Sequence, residues 1–220
     1  MDVALSLSDS VKDLIRADIL AGRLDFGARL RIDELATRYG ASHMPVREAL
    51  RSLVGEGLVA AVANKGARVV TVDAEHIRHL FTIRIAVEVA LARQAALVID
   101  EAGLAEVATL EQERLAAVAD GDFARGVAIN QRFHRRIYEA AGNAEGLVLL
   151  DRHWLLLAAI WSRYGYRPER LGGVASDHDH ILRALIERDA DACGVMTAAH
   201  VTKTRQDMLA QLQGHEARVG

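Results

Sequence analysis

Four side chains in the second half of the chain are of types that hold divalent metals, and their spacing lets them meet. Asn130 and His134 are four residues apart, so a helix presents them on one face. His178 opens a later stretch of helical periodicity, and His200 lies in the next one. Antiparallel neighbours in a bundle bring such positions to one point, a common place to build a metal site. Imidazole suits zinc, nickel, iron or copper, and an oxygen ligand with water also admits manganese. Spacing leaves a second reading open. Nine histidines are present, and any one of them is more often a surface or hydrogen-bonded core residue than a ligand. Arg84 and Glu88 are also one turn apart. Buried near a metal, the Arg84 fork would clamp a carboxylate ligand; exposed, the two would form an ordinary intrahelical ion pair.

Such a cluster needs helices to place it. From Asp73 onward the apolar residues recur at helical spacing over about 74–98, 103–119, 122–141, 144–163, 174–188 and 189–213. Breaks fall at Gly103, Gly121, Gly142 and the stretch 165–173, which holds Pro168. Six helices with short connections predict an all-α antiparallel bundle. Asp73 is expected to cap its first helix, which puts a domain boundary between 72 and 73. Trp154 and Trp161, seven apart on one face, are read as packing residues, and Cys193 as a small buried one.

The first 72 residues follow a different plan. An apolar stripe of Val11, Leu14, Ile15 and Ile19 predicts a helix ending near Gly22. After a turn through 24–30, a short helix is expected over Ile32–Tyr39 with Gly40 as its stop. Ser42 is placed to cap a third helix, with Pro45 in its first turn and Val46, Leu50, Leu53 and Val54 inside. Two β-branched runs around Asn64-Lys65-Gly66 then predict a hairpin. Three helices and a hairpin make a winged helix-turn-helix, whose third helix enters the DNA major groove. Ser42, His43, Met44 and Arg47 stand where base contacts are made, and Arg47 has the fork to read guanine. Arg31, Arg38 and Arg51 are expected to hold phosphates, and Lys65 and Gly66 to approach the backbone or minor groove from the wing. Winged helices also serve as protein-binding modules, so the pattern alone leaves that reading open.

These residues carry a resemblance. LATRYGASHMPVREALRSLVGEGLV, followed by NKGARVV, resembles the GntR family of bacterial regulators, with Pro-Val-Arg-Glu-Ala-Leu its most specific run. The family usually has Ser-Arg-Thr before Pro-Val-Arg. This chain has Ser42-His43-Met44, which implies an altered operator or weaker binding. Residues 78–212 look like the FCD effector domain of the FadR branch, on NQRFHRRIYEAAGN, DHDHILRALIERDADA and Ala199-His200. The resemblance implies a divalent metal held by Asn130, His134, His178 and His200, with His180 as second choice for the third position. Zinc is the first expectation, then nickel or manganese. It also implies Arg84 as an effector contact, a small organic acid as effector, a homodimer on an inverted-repeat operator, and repression relieved by the effector.

Composition agrees with this class. The formal net charge is −3, yet residues 29–72 hold seven Lys/Arg against four Asp/Glu. Phosphate binding needs only the docking face to be positive. One cysteine excludes an internal disulfide, and no opening basic-then-apolar run suggests a signal peptide, so a cytoplasmic protein is expected. The longest apolar run, Trp154 to Trp161, is too short to span a bilayer. A metal-dependent hydrolase remains the alternative function. It finds no well-placed general base and no G-x-S-x-G motif, so no enzyme is expected.

Overall fold

Five of the six long helices in the C-terminal part begin on a short polar side chain that turns back onto the backbone. The Asp73 carboxylate accepts from the His76 N–H at 2.7 Å, Asp100 from Gly103 at 2.8 Å and Asp122 from Arg125 at 3.0 Å. Asn143 accepts from Gly146 and Asp189 from Ala192, both at 2.9 Å. Each cap satisfies an N–H that the helix cannot, an effect of about 1 kcal/mol. The resulting helices are α4 (Ala74–Val98), α5 (Glu101–Ala119), α6 (Phe123–Ala140), α7 (Ala144–Tyr164) and α9 (Ala190–Val219), with α8 (Pro168–Ile186) between the last two. The computed structural model describes residues 7–62, 66–165 and 168–219.

Before these come α1 (Leu7–Leu20), β1 (Arg29–Leu30), α2 (Ile32–Tyr39), α3 (His43–Gly55), β2 (Val59–Val62) and β3 (Gly66–Val69). The chain divides into two compact units, 1–76 with 152–165, and 77–151 with 166–220.

In the first unit α1 packs on α3, and α2 and β2 also lie against α3. The core is Val11, Ile15 and Ile19 of α1, Leu35 of α2, and Val46, Ala49 and Leu53 of α3, each at most 3% exposed. Gly40 ends α2 in the left-handed conformation at φ 62°, where a side chain is strained. The strands form one antiparallel sheet in the order β1-β3-β2. The sequence predicted the β2–β3 hairpin but not β1, because two residues are too few to show a period. Ser42 precedes α3 with extended backbone, yet its hydroxyl makes no capping bond. Trp154 and Trp161 are both buried, 5.9 Å apart between ring centroids.

In the second unit α5 packs against α6 and α8, and α8 against α9. Its interior includes Phe81, Leu91, Val107, Phe133, Ile137, Leu185 and Val201. Cys193 is fully buried among them, and burial pushes its thiol up to about 11, so it stays a neutral packing group. α8 begins at Pro168, six residues before the expected 174. Proline is accommodated in a helix's first turn, and the helix then continues through Gly172 and Gly173 at about 1 kcal/mol each.

Candidate metal centre and nucleic-acid surface

The interior of the second unit holds charge as well as hydrocarbon. Arg84, Glu88, Glu111, Arg114, His134, Asp177, His178 and His200 are all less than 9% exposed. Buried polar groups of this kind are stable only when each finds a partner.

His134 on α6, His178 on α8 and His200 on α9 each offer a ligand atom, and these atoms lie within 4.8 Å of one another. Phe133 fixes the second ring by stacking on His178, with centroids 4.1 Å apart and planes 8° from parallel. The Nδ1 atom of each imidazole faces an acceptor. His178 Nδ1 is 2.6 Å from Glu111 Oε2, and His200 Nδ1 is 3.3 Å from Asp177 Oδ2. His134 Nδ1 is 3.4 Å from the Tyr138 hydroxyl oxygen, which in turn donates to Glu88 at 2.7 Å. These contacts assign the proton of each neutral ring to Nδ1 and leave its Nε2 lone pair to the centre. Partners of this type orient metal-binding histidines and raise their basicity.

The carboxylates are themselves braced. Glu111 accepts two bonds from Arg114, at 2.8 and 2.5 Å, and Arg84 pairs with Glu88 at 2.7 Å. Lys203 bonds the other oxygen of Asp177. Burial pushes the Glu111 carboxyl up, but hydrogen bonds from Arg114 and His178 outweigh it and hold the group below 4.5. Burial drives the His134 imidazole well below 6.5, helped by the charges of His200, His178 and Arg84. His178 is also lowered, again chiefly by burial. Lowered in this way, the His134 and His178 rings favour the neutral form, the one that binds metal.

A divalent ion fits this donor set. His178 Nε2 and Asn130 Oδ1 are sealed from solvent without a hydrogen-bond partner, and Asn130 sits one turn before His134. Orphaned lone pairs on one of three convergent imidazoles and on an amide one turn from another are what a bound cation would satisfy. His180, the second choice for the third position, is exposed, and its Nδ1 lies 2.6 Å from the Ser176 carbonyl. It takes no part in the cluster. Arg84 is 3% exposed, so its pair with Glu88 is a core feature rather than a surface one.

Sequence reasoning missed Glu111, Arg114, Tyr138 and Asp177. Their signal was faint: Glu111 and Arg114 fall on the same face as Val107, Leu110 and Ala117, where charge is out of place.

In the first unit α3 exposes Ser42 just before it, then His43, Met44, Arg47, Glu48 and Arg51, while Pro45, Val46, Ala49 and Leu50 face inward. Met44 is 62% exposed. Arg29, Arg31, Arg47, Arg51 and Gly66 line one open depression. Arg29 faces Arg68 across the β1–β3 pair, and both are exposed. Like charges placed opposite each other destabilise a sheet, and phosphate would relieve them. Arg29 and Arg68 were not singled out from sequence, because only the strand register pairs them. Gly66 opens β3 at φ 84°, whereas Lys65 lies outside the described residues. Two expected phosphate holders already have acidic neighbours, Arg31 with Glu34 at 3.2 Å and Arg38 with the buried Asp18 at 2.5 Å. His43 Nε2 is 3.2 Å from Asp33.

Comparison with known proteins agrees with both halves. The bacterial regulatory proteins of the gntR family match residues 7–69, and the FCD domain matches residues 79–203. The chain belongs to this family of transcriptional regulators, with a DNA-binding helix-turn-helix followed by a helical FCD domain. It is 31% identical over 208 residues to the HTH-type transcriptional regulator BphR of Paraburkholderia xenovorans, covering 89% of this chain and 82% of that one. It is 26% identical to the HTH-type transcriptional repressor GlaR of Escherichia coli, over 85% of this chain and 89% of that one. Among solved structures, E. coli McbR/YncC superposes with a TM-score of 0.76 at 23% identity, covering 94% of this chain and 99% of that chain. The family and these relatives are regulators of transcription rather than enzymes. No helix among the described residues is long and apolar enough to cross a membrane.

Proposed function

We propose that this DNA-binding regulator is a homodimeric repressor whose operator affinity is set by a small organic acid bound at a metal in the helical unit. The observation that supports it most is the convergence of three buried histidine ligand atoms within 4.8 Å. Asn130, His134, His178 and His200 would hold a divalent ion, zinc first, then nickel or manganese. The ion would supply Lewis-acid attraction for an anionic oxygen. Arg84, buried and charged close enough to be felt at His134, is the side chain suited to a second carboxylate oxygen.

Two copies would set two α3 helices about one DNA turn, ~34 Å, apart on an inverted repeat. Arg47 would read a base edge beside Ser42, His43 and Met44, and Arg31, Arg38, Arg51, Lys65 and Gly66 would follow the backbone. Residues 1–72 form the DNA-binding part in this reading and 73–220 the effector part. Repeated selection of random duplexes by the purified protein tests it. A short inverted repeat should emerge, and adding small carboxylic acids to the zinc-loaded protein should release it. A selected pool without any shared motif would overturn the operator reading. A motif whose affinity ignores both metal and acids would overturn the effector reading.

A further inference from the structure

Among the described residues, the carboxylates next to the three histidines each have a cationic partner, buried arginines for two and a half-exposed lysine for the third. Arg84 matches Glu88, Arg114 matches Glu111, and Lys203 matches Asp177. The donors in the proposed centre carry no negative charge: three imidazoles and, from one helical turn before His134, the unpartnered Asn130 amide oxygen. A divalent ion placed there brings two positive charges into a site whose described buried neighbours offer no unmatched negative one. Burying uncompensated charge is costly, and the nearest braced cations make it worse. Arg84 and Arg114 both act on the His134 ring as positive charges.

We propose that Asn130 makes metal retention conditional on an anion, so that the metal and an anionic ligand enter this pocket as a pair rather than independently. The inference rests on the reading of the cluster as a metal centre. An aspartate at this position would supply one negative charge inside the coordination sphere. The asparagine supplies only a dipole and leaves that charge to an outside carboxylate or similar anion. The anion therefore acts as the missing ligand charge. By linkage, the metal tightens the anion by the same factor that the anion tightens the metal. A regulator built this way responds to its acid only when metal is present, and holds metal firmly only when the acid is present.

The test is the zinc dissociation constant of the full chain, measured by competition with a chromophoric chelator. It is run in sodium perchlorate and in sodium acetate at matched ionic strength, for the native protein and for Asn130→Asp. Acetate should tighten zinc binding to the native protein by about tenfold. Asn130→Asp should bind zinc more tightly than native in perchlorate and gain much less from acetate. Equal native constants in the two salts, with zinc still bound, would overturn the inference and leave the metal centre standing. An equal gain from acetate in native and Asn130→Asp would also overturn it, because the anion would then owe nothing to Asn130. Zinc binding to neither protein in either salt would overturn the metal reading itself. The native comparison by itself still decides whether metal and anion bind as a pair where Asn130→Asp does not fold.

Discussion

His178 shows how much of this site lies one layer behind the ligands. Its ring is pinned by Phe133 on one face and by Glu111 at Nδ1, and Glu111 is pinned by Arg114. Glu111→Gln keeps an acceptor but removes the charge that makes imidazole a better donor, and it leaves Arg114 buried without its counter-ion. Metal affinity should fall about 10–100-fold, read by chelator competition, whereas specific DNA binding by the metal-free protein should be unchanged. Acid should act on the same residues. The folded His134 has its pKa depressed below 6.5, so near and below that pH the unfolded chain binds a proton that the folded chain rejects. Stability is then fully present above 6.5 and is lost as pH falls through that value. The melting temperature of metal-stripped protein should drop correspondingly, and His134→Ala should flatten that part of the profile.

At the level of elements, the third helix separates reading from folding. Val46, Ala49 and Leu53 hold α3 in the core, and Arg47 and Arg51 project from its other side. Arg47→Ala should abolish sequence-specific binding in a mobility-shift assay, with melting temperature and metal content unchanged. Arg51→Ala should weaken binding to all sequences alike and lessen its salt dependence. The helices were legible in the sequence where a cap and a glycine bracket an apolar stripe, as in α6 between Asp122 and Gly142. They were less legible at α8, where Pro168 reads as a breaker but serves as a first-turn residue. β1 had no period to read and exists only because β3 gives it a partner. The histidine and asparagine ligand candidates were visible from type and spacing together with a family resemblance. Their supports were not, because a Glu and an Arg three apart look the same on a wet surface as in a core. Burial is decided by the neighbouring helices, and that information is not local.

On the scale of the whole chain, the basic segment 29–72 docks on DNA and, in the proposed function, the acidic segment 73–220 senses a ligand. Coupling between such tasks is reciprocal. If an acid weakens operator binding by some factor, the operator must weaken acid binding by that same factor, and titration in both orders should agree. The ligand-sensing half of this depends on the buried cluster holding an ion. The direct measurement is elemental analysis of the purified full-length protein and of its His200→Ala variant, paired with melting curves before and after zinc addition. With acetate present throughout, the account predicts a single divalent ion per native chain, a melting temperature raised by zinc, and loss of both effects in His200→Ala. Native protein that carries no metal, and whose melting temperature zinc does not raise, would contradict it.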